Sequence, residues 1–222
     1  MATPLDLQEQ EQLDELKAFW KQYGNLVTWV LIVALAAYAG LNGWRWWQRD
    51  RAAKAGAIFE QLDIAAHARD ANRAGAIFGD LKSRYPGTTY AEQGGLIAAH
   101  AQYQAGQVDA AQASLAWVAD NAGEDEYRSV ARLRLAALLL QAKKPDEALK
   151  QLDAAKSPSF AALVADRRGD VLMAMGKTEE AKRAYQAAWA SMDPKLEYRN
   201  LIDAKLTALG AAPPDAVAEA AK

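Results

Sequence analysis

The sequence predicts an all-α protein. One N-terminal helix, long and apolar enough to span a membrane, is followed by an α-solenoid of short helix pairs and a C-terminal capping helix. Three observations carry this reading. Residues 22–44 hold no charged side chain. Small and large apolar residues recur in register at intervals of 33 to 37 residues through the remainder. Alanine is abundant and β-branched runs are scarce outside the uncharged stretch, which favours helix over strand.

Residues 1–21 read as a short cytoplasmic segment, acidic through Asp6, Glu9, Glu11, Asp14 and Glu15 against Lys17 and Lys21. Residues 22–44 read as a single transmembrane helix. As a helix they rise roughly 34 Å, enough for a bilayer core of about 30 Å. Phe19, Trp20 and Tyr23 stand at one end and Trp44, Trp46 and Trp47 at the other, as interfacial aromatic belts do. Ala37-Tyr38-Ala39 has the small-x-small form of a signal-peptide cleavage site, but the acidic leader is a poor n-region. An uncleaved anchor in membrane lipid is therefore expected. Tyr38, Gly40 and Gly43 lie near its exit end, and Gly40 and Gly43 are a candidate transmembrane interface for a partner helix. Residues 45–54 read as a juxtamembrane linker.

Residues 55–194 read as four helix pairs, about 55–88, 92–126, 129–160 and 161–194. The clearest is Ala162 to Lys195, with Gly169, Gly176, Ala181, Tyr185, Ala188 and Pro194 at the spacing of a tetratricopeptide repeat, the proline one residue late. Small residues at Gly169 and Ala181 let two antiparallel helices approach, and Gly176 turns the chain between them. Tyr185 is expected to fill space beneath the neighbouring repeat. Ala148, Ala111 and Ala74 mark weaker copies, each followed four residues on by Leu152, Leu115 or Phe78. Gly106 and Lys143-Lys144-Pro145-Asp146 supply turns, and Tyr85-Pro86-Gly87 stops the first pair. Residues 195–209 are expected as the capping helix, with Leu196, Leu201, Ile202 and Leu206 covering the open end. Residues 210–222 read as a flexible tail.

Composition narrows the chemistry. After residue 44, 178 residues carry 24 basic and 23 acidic groups, with no long basic run beyond Arg45 to Lys54. A nucleic-acid partner is not expected. Cysteine is absent, and no Gly-x-Ser-x-Gly, phosphate loop or His-Glu-x-x-His occurs. No catalytic, cofactor-binding or metal site can be assembled, so the chain is read as a non-enzyme. The two histidines, His67 and His100, do not make a metal site alone. Asp63 precedes His67 by four residues, a helix-surface pair.

In repeats of this kind the first helix of each pair lines a concave face. That register puts Phe59, Asp63 and His67 there from the first pair, Leu96, His100, Tyr103 and Gln104 from the second, and Asp166, Asp170 and Met173 from the fourth. The mixture suits a peptide held by hydrogen bonds and apolar pockets, so these ten residues are the candidate partner groove.

Leu13, Leu16, Lys17, Phe19, Trp20, Gly24 and Asn25, then the span, then Gly43-Trp44-Arg45-Trp46-Trp47, together resemble the YfgM family, ancillary subunits of the bacterial SecYEG translocon. The resemblance continues through the repeats to Lys205, Leu206 and Leu209. It implies a single-pass inner-membrane protein with its repeats in the periplasm. It also implies association with the SecYEG translocon and a membrane-anchored, PpiD-like chaperone, near nascent secreted proteins. The charge rule leans the other way by one group: Lys17, Lys21 and the amino terminus face Arg45, Arg49, Arg51 and Lys54. A long domain following a span translocates largely regardless of local charge, so the periplasmic orientation is the expectation. The competing function is a scaffold or regulator in envelope stress signalling or cell-envelope assembly. A tether for a soluble enzyme is a third.

Overall fold

The computed structural model describes the backbone of residues 7–212 and side chains from residue 11. The first six residues and the tail beyond residue 212 lie outside the described residues. Among those described the structure is helical throughout, with no strand. The chain divides into two compact units, up to Arg51 and from Ala52 on.

The first helix, α1, runs Leu7–His67. From Leu7 on, the segments read as leader, span and linker are thus all helical. The reason is local. Between Leu7 and His67 there is no proline, and the glycines Gly24, Gly40, Gly43 and Gly56 are isolated. One glycine costs only about 1 kcal/mol in a helix interior. In the first unit the apolar side chains stand outward on every face, among them Leu26, Trp29, Ile32, Leu35 and Leu41, all about half exposed or more. Thr28 Oγ1 donates to the Gly24 carbonyl at 2.8 Å and Asn42 Nδ2 to that of Tyr38 at 2.9 Å. These two polar side chains are thereby bonded within the helix, as suits a hydrocarbon environment. Trp44 and Trp47 stack at 5.0 Å, with Arg51 4.6 Å above Trp47.

The second unit begins with the end of α1 and continues as α2 (Ala71–Arg84), α3 (Thr89–Gln104), α4 (Val108–Asn121), α5 (Asp125–Gln141), α6 (Pro145–Ala154), a short 3-10 turn (Pro158–Phe160), α7 (Ala161–Ala174), α8 (Thr178–Ser191) and α9 (Tyr198–Ala208). Helices pack chiefly against their neighbours in sequence, the pattern of a solenoid. The repeat is visible in its turns. Arg69, Gly106, Lys143 and Gly176 take positive φ of 59°, 77°, 60° and 74°. After each, the next backbone N–H closes the helix end: Asp70 to Ala65, Gln107 to Gln102, Lys144 to Leu139 and Lys177 to Leu172, at 2.8 to 3.0 Å. Five residues after each turn stands Ala74, Ala111, Ala148 or Ala181, every one fully buried. Phe78, Leu115, Leu152 and Tyr185 follow, also buried.

Side chains also start the helices. Asp70 accepts from the Arg73 N–H at 3.0 Å and Thr88 from that of Ala91 at 3.3 Å, while Pro145 opens α6. The acidic runs Asp125-Glu126 and Glu179-Glu180 occupy the first turns of α5 and α8, where carboxylates complement the helix dipole.

Two details refine the expectation. The closing helix starts at Tyr198 rather than residue 195, because residues 194 and 195 form a turn in which Asp193 accepts from the Lys195 N–H. Tyr185 not only lies under the following helix, with Lys205 Nζ 5.1 Å from its ring centroid, but also packs within its own pair. Its ring lies against Gly169 of its own pair, so close that any Cβ there would overlap it.

Candidate functional site

The first helices of the pairs line three adjoining hollows in the second unit. The largest, about 660 Å³, is bounded by Asp63, His67, Leu96, His100 and Gln104, with Arg69, Gln93, Ile97 and Arg134. The next, about 300 Å³, shares His100 and Arg134 and adds Tyr103, Leu138 and Gln141. The third, about 410 Å³, shares Arg134 and Ala137 and is walled by Leu133, Phe160, Leu163, Arg167 and Tyr198. Together they form a strip from the end of α1 across α3 and α5 to α7.

Of the ten groove residues read from the sequence, Asp63, His67, Leu96, His100, Tyr103 and Gln104 meet on this strip. Asp63 and His67 also pair, at 3.3 Å. Tyr103 donates to Gln141 Oε1 at 3.2 Å, tying α3 to α5, and Gln93 donates to the Tyr127 hydroxyl at 2.7 Å. Phe59 does not face the strip; its ring packs 5.5 Å from Tyr90, beside Leu81. Met173 is exposed on α7 but lines none of the three hollows.

Asp166 and Asp170 are a correction. The repeat register expects both in the groove, yet Asp166 is only 1 % exposed and both belong to the seat of α9. Lys205 Nζ donates to Asp166 Oδ1 and Asp170 Oδ1, both at 2.7 Å. The Tyr198 hydroxyl donates to Asp166 Oδ2 at 2.8 Å, and that of Tyr185 to Asp170 Oδ1 at 2.9 Å. Arg167 pairs with Asp170 at 3.2 Å. Burial, followed by the bond to Asp166, pushes the Tyr198 hydroxyl up to about 12. Burial and the Asp170 bond raise that of Tyr185 as well. The physical reason is that α9 stands where a further repeat would, so it covers side chains that an extended array would present in its groove.

The third pair supplies residues the sequence reading did not name. In the same register as Leu96 and His100 stand Leu133 and Ala137, with Arg134 beside them. The spacing of 37 that relates Ala111 to Ala148 places them there; the signal was present. No group of three or more His, Asp or Glu among the described residues is placed to hold a metal ion. Gly40 and Gly43 lie on open helix surface: a Cβ at either meets no described atom within 4 Å.

The tetratricopeptide repeat-like domain family model matches residues 17–211. The chain is 32% identical over 204 residues to an ancillary SecYEG translocon subunit of Neisseria gonorrhoeae, spanning 91% of this chain and 98% of the relative. It is 29% identical over 192 residues to the protein so described in Escherichia coli, covering 81% and 86% of the two chains. A Haemophilus influenzae relative of the same description is 28% identical over 188 residues, covering 83% and 90%. These similarities run through span and repeats alike, and the chain therefore belongs to the tetratricopeptide repeat-like family of ancillary SecYEG translocon subunits.

Proposed function

We propose that the protein is a non-enzymatic interaction module anchored in the bacterial inner membrane beside the Sec translocon. Its repeats stand in the periplasm, where they meet a membrane-anchored, PpiD-like chaperone and secreted or outer-membrane proteins in transit. The observation that carries this is one chain combining an exposed apolar helix with an open groove on a repeat scaffold, matched along its length by translocon subunits. Tethering at the membrane raises the local concentration of the groove, so weak contacts with passing chains suffice.

A C-terminal tag should be digested in intact spheroplasts, and a photo-crosslinker at Tyr103 should capture chaperone or secreted chains while channel subunits copurify. Protection of the tag until lysis overturns the periplasmic orientation. Stoichiometric recovery of a different inner-membrane protein, with no channel subunit, supports the scaffold or regulatory function instead.

A further inference from the structure

Arg134 differs from its neighbours. The other arginines of α5 and α7 are committed within the fold: Arg128 to Asp125 at 2.6 Å, Arg132 to the Ala119 carbonyl at 3.0 Å, Arg167 to Asp170 at 3.2 Å and Arg168 to Asp153 at 2.6 Å. Arg134 forms no ion pair among the described residues, and its one hydrogen bond, to the Leu96 carbonyl, is long at 3.4 Å. It is also the one side chain shared by all three hollows. A guanidinium presents a fork of donors that matches a carboxylate's two oxygens. The walls flanking it are apolar on both sides, Leu96 and Ile97 toward α1 and Leu133 and Leu163 toward α7.

We propose that the groove binds an extended peptide segment by an internal aspartate or glutamate seated on Arg134, with apolar residues of the segment on either side. This assignment rests on the groove-binding reading above and specifies its ligand. The hollows continue past Arg134 in both directions, so a chain can pass through with its carboxylate midway; a terminal carboxylate would leave one side empty. The other carboxylates near the strip do not compete for the guanidinium. Asp63 pairs with His67 at the far end, and Asp170 is held by Lys205 and Arg167. The glutamine amides of Gln93 and Gln104 supply polar edge groups for the peptide backbone.

The test uses the full-length protein in detergent micelles and short fluorescent peptides read by anisotropy against a micelle blank. One peptide, capped at both ends, carries a central glutamate between leucines. A second has glutamine there. A third is the glutamine peptide with a free C-terminal carboxylate. The glutamate peptide should bind at least about tenfold tighter than the glutamine peptide, a gap that shrinks with added salt. R134Q should abolish the gap between the glutamate and glutamine peptides, and R134K should keep part of it. Circular dichroism confirms that both variants are folded. Equal binding of the glutamate and glutamine peptides overturns the carboxylate assignment and leaves groove binding standing. Preference for the free C-terminus overturns the through-running geometry. Absence of binding by all three overturns the proposal together with the groove reading.

Discussion

Glu92 sits within α3 at 4 % exposure, with its two oxygens treated differently. Oε1 accepts from the Gly123 N–H at 2.7 Å, while Oε2 is buried without a partner. Burial raises its pKa above the usual carboxylate value; the Gly123 bond pulls it back, and Glu124 adds to the rise more than Arg128 removes. A raised folded-state pKa means the folded protein binds this proton more tightly than the unfolded chain does. The stabilisation is then fully present below the ordinary value of 4.5 and is lost as pH rises through the folded-state pKa. At neutral pH the buried charge is a cost. Glu92→Gln keeps an acceptor for Gly123 and removes the charge. It should raise the melting temperature near neutral pH, by stability on the order of 1 kcal/mol, and the gain should vanish on acidification. A gain that is the same across the pH range contradicts this. Legibility at this scale is uneven. Ala74, Ala111, Ala148 and Ala181 were readable because only a small side chain fits where helices touch. The positive φ at Arg69 and Lys143 was not, because a non-glycine residue carries no mark of it, although the Lys143-Lys144-Pro145-Asp146 turn itself was expected.

Among the elements, α9 depends on a buried ionic seat as well as on Ile202 and Leu206, both almost fully buried. Removing Lys205 would leave Asp166 buried with the Tyr198 hydroxyl but no cation. Lys205→Met should cost toward the low end of roughly 3–5 kcal/mol, since the Lys205 side chain is itself 23% exposed. Amide exchange in α9 should accelerate more than in α3. Exchange that rises equally in both helices would mean that α9 is not released locally. The capping role of the last helix was expected from its apolar residues. Its charged contacts were not, because Asp166 and Lys205 lie 39 positions apart, and neither alone signals a pair. The same event moved Asp166 and Asp170 out of the predicted groove.

For the whole molecule, attachment to a membrane partner is the property most open to test. Gly40 and Gly43 leave the α1 surface open enough for another helix to approach closely. Replacing both by leucine should weaken copurification of membrane partners while the repeats melt as before. Unchanged copurification would leave the span as an anchor only.

The sequence by itself determined the class and order of the architecture: a helix for a membrane, then paired helices, then a cap. Those features are written in periodicities and in long uncharged or alanine-marked stretches, which depend on local physics repeated many times. Only the tertiary structure decided which side chains meet. It put six of the ten predicted groove residues on one strip, gave Phe59 to the Tyr90 ring, and set Asp166 and Asp170 beneath α9. It also set Arg134 where the three hollows join. The repeat register marked the six and could have marked Arg134, whereas the Phe59 and α9 pairings depend on where distant segments cross, which no local pattern encodes.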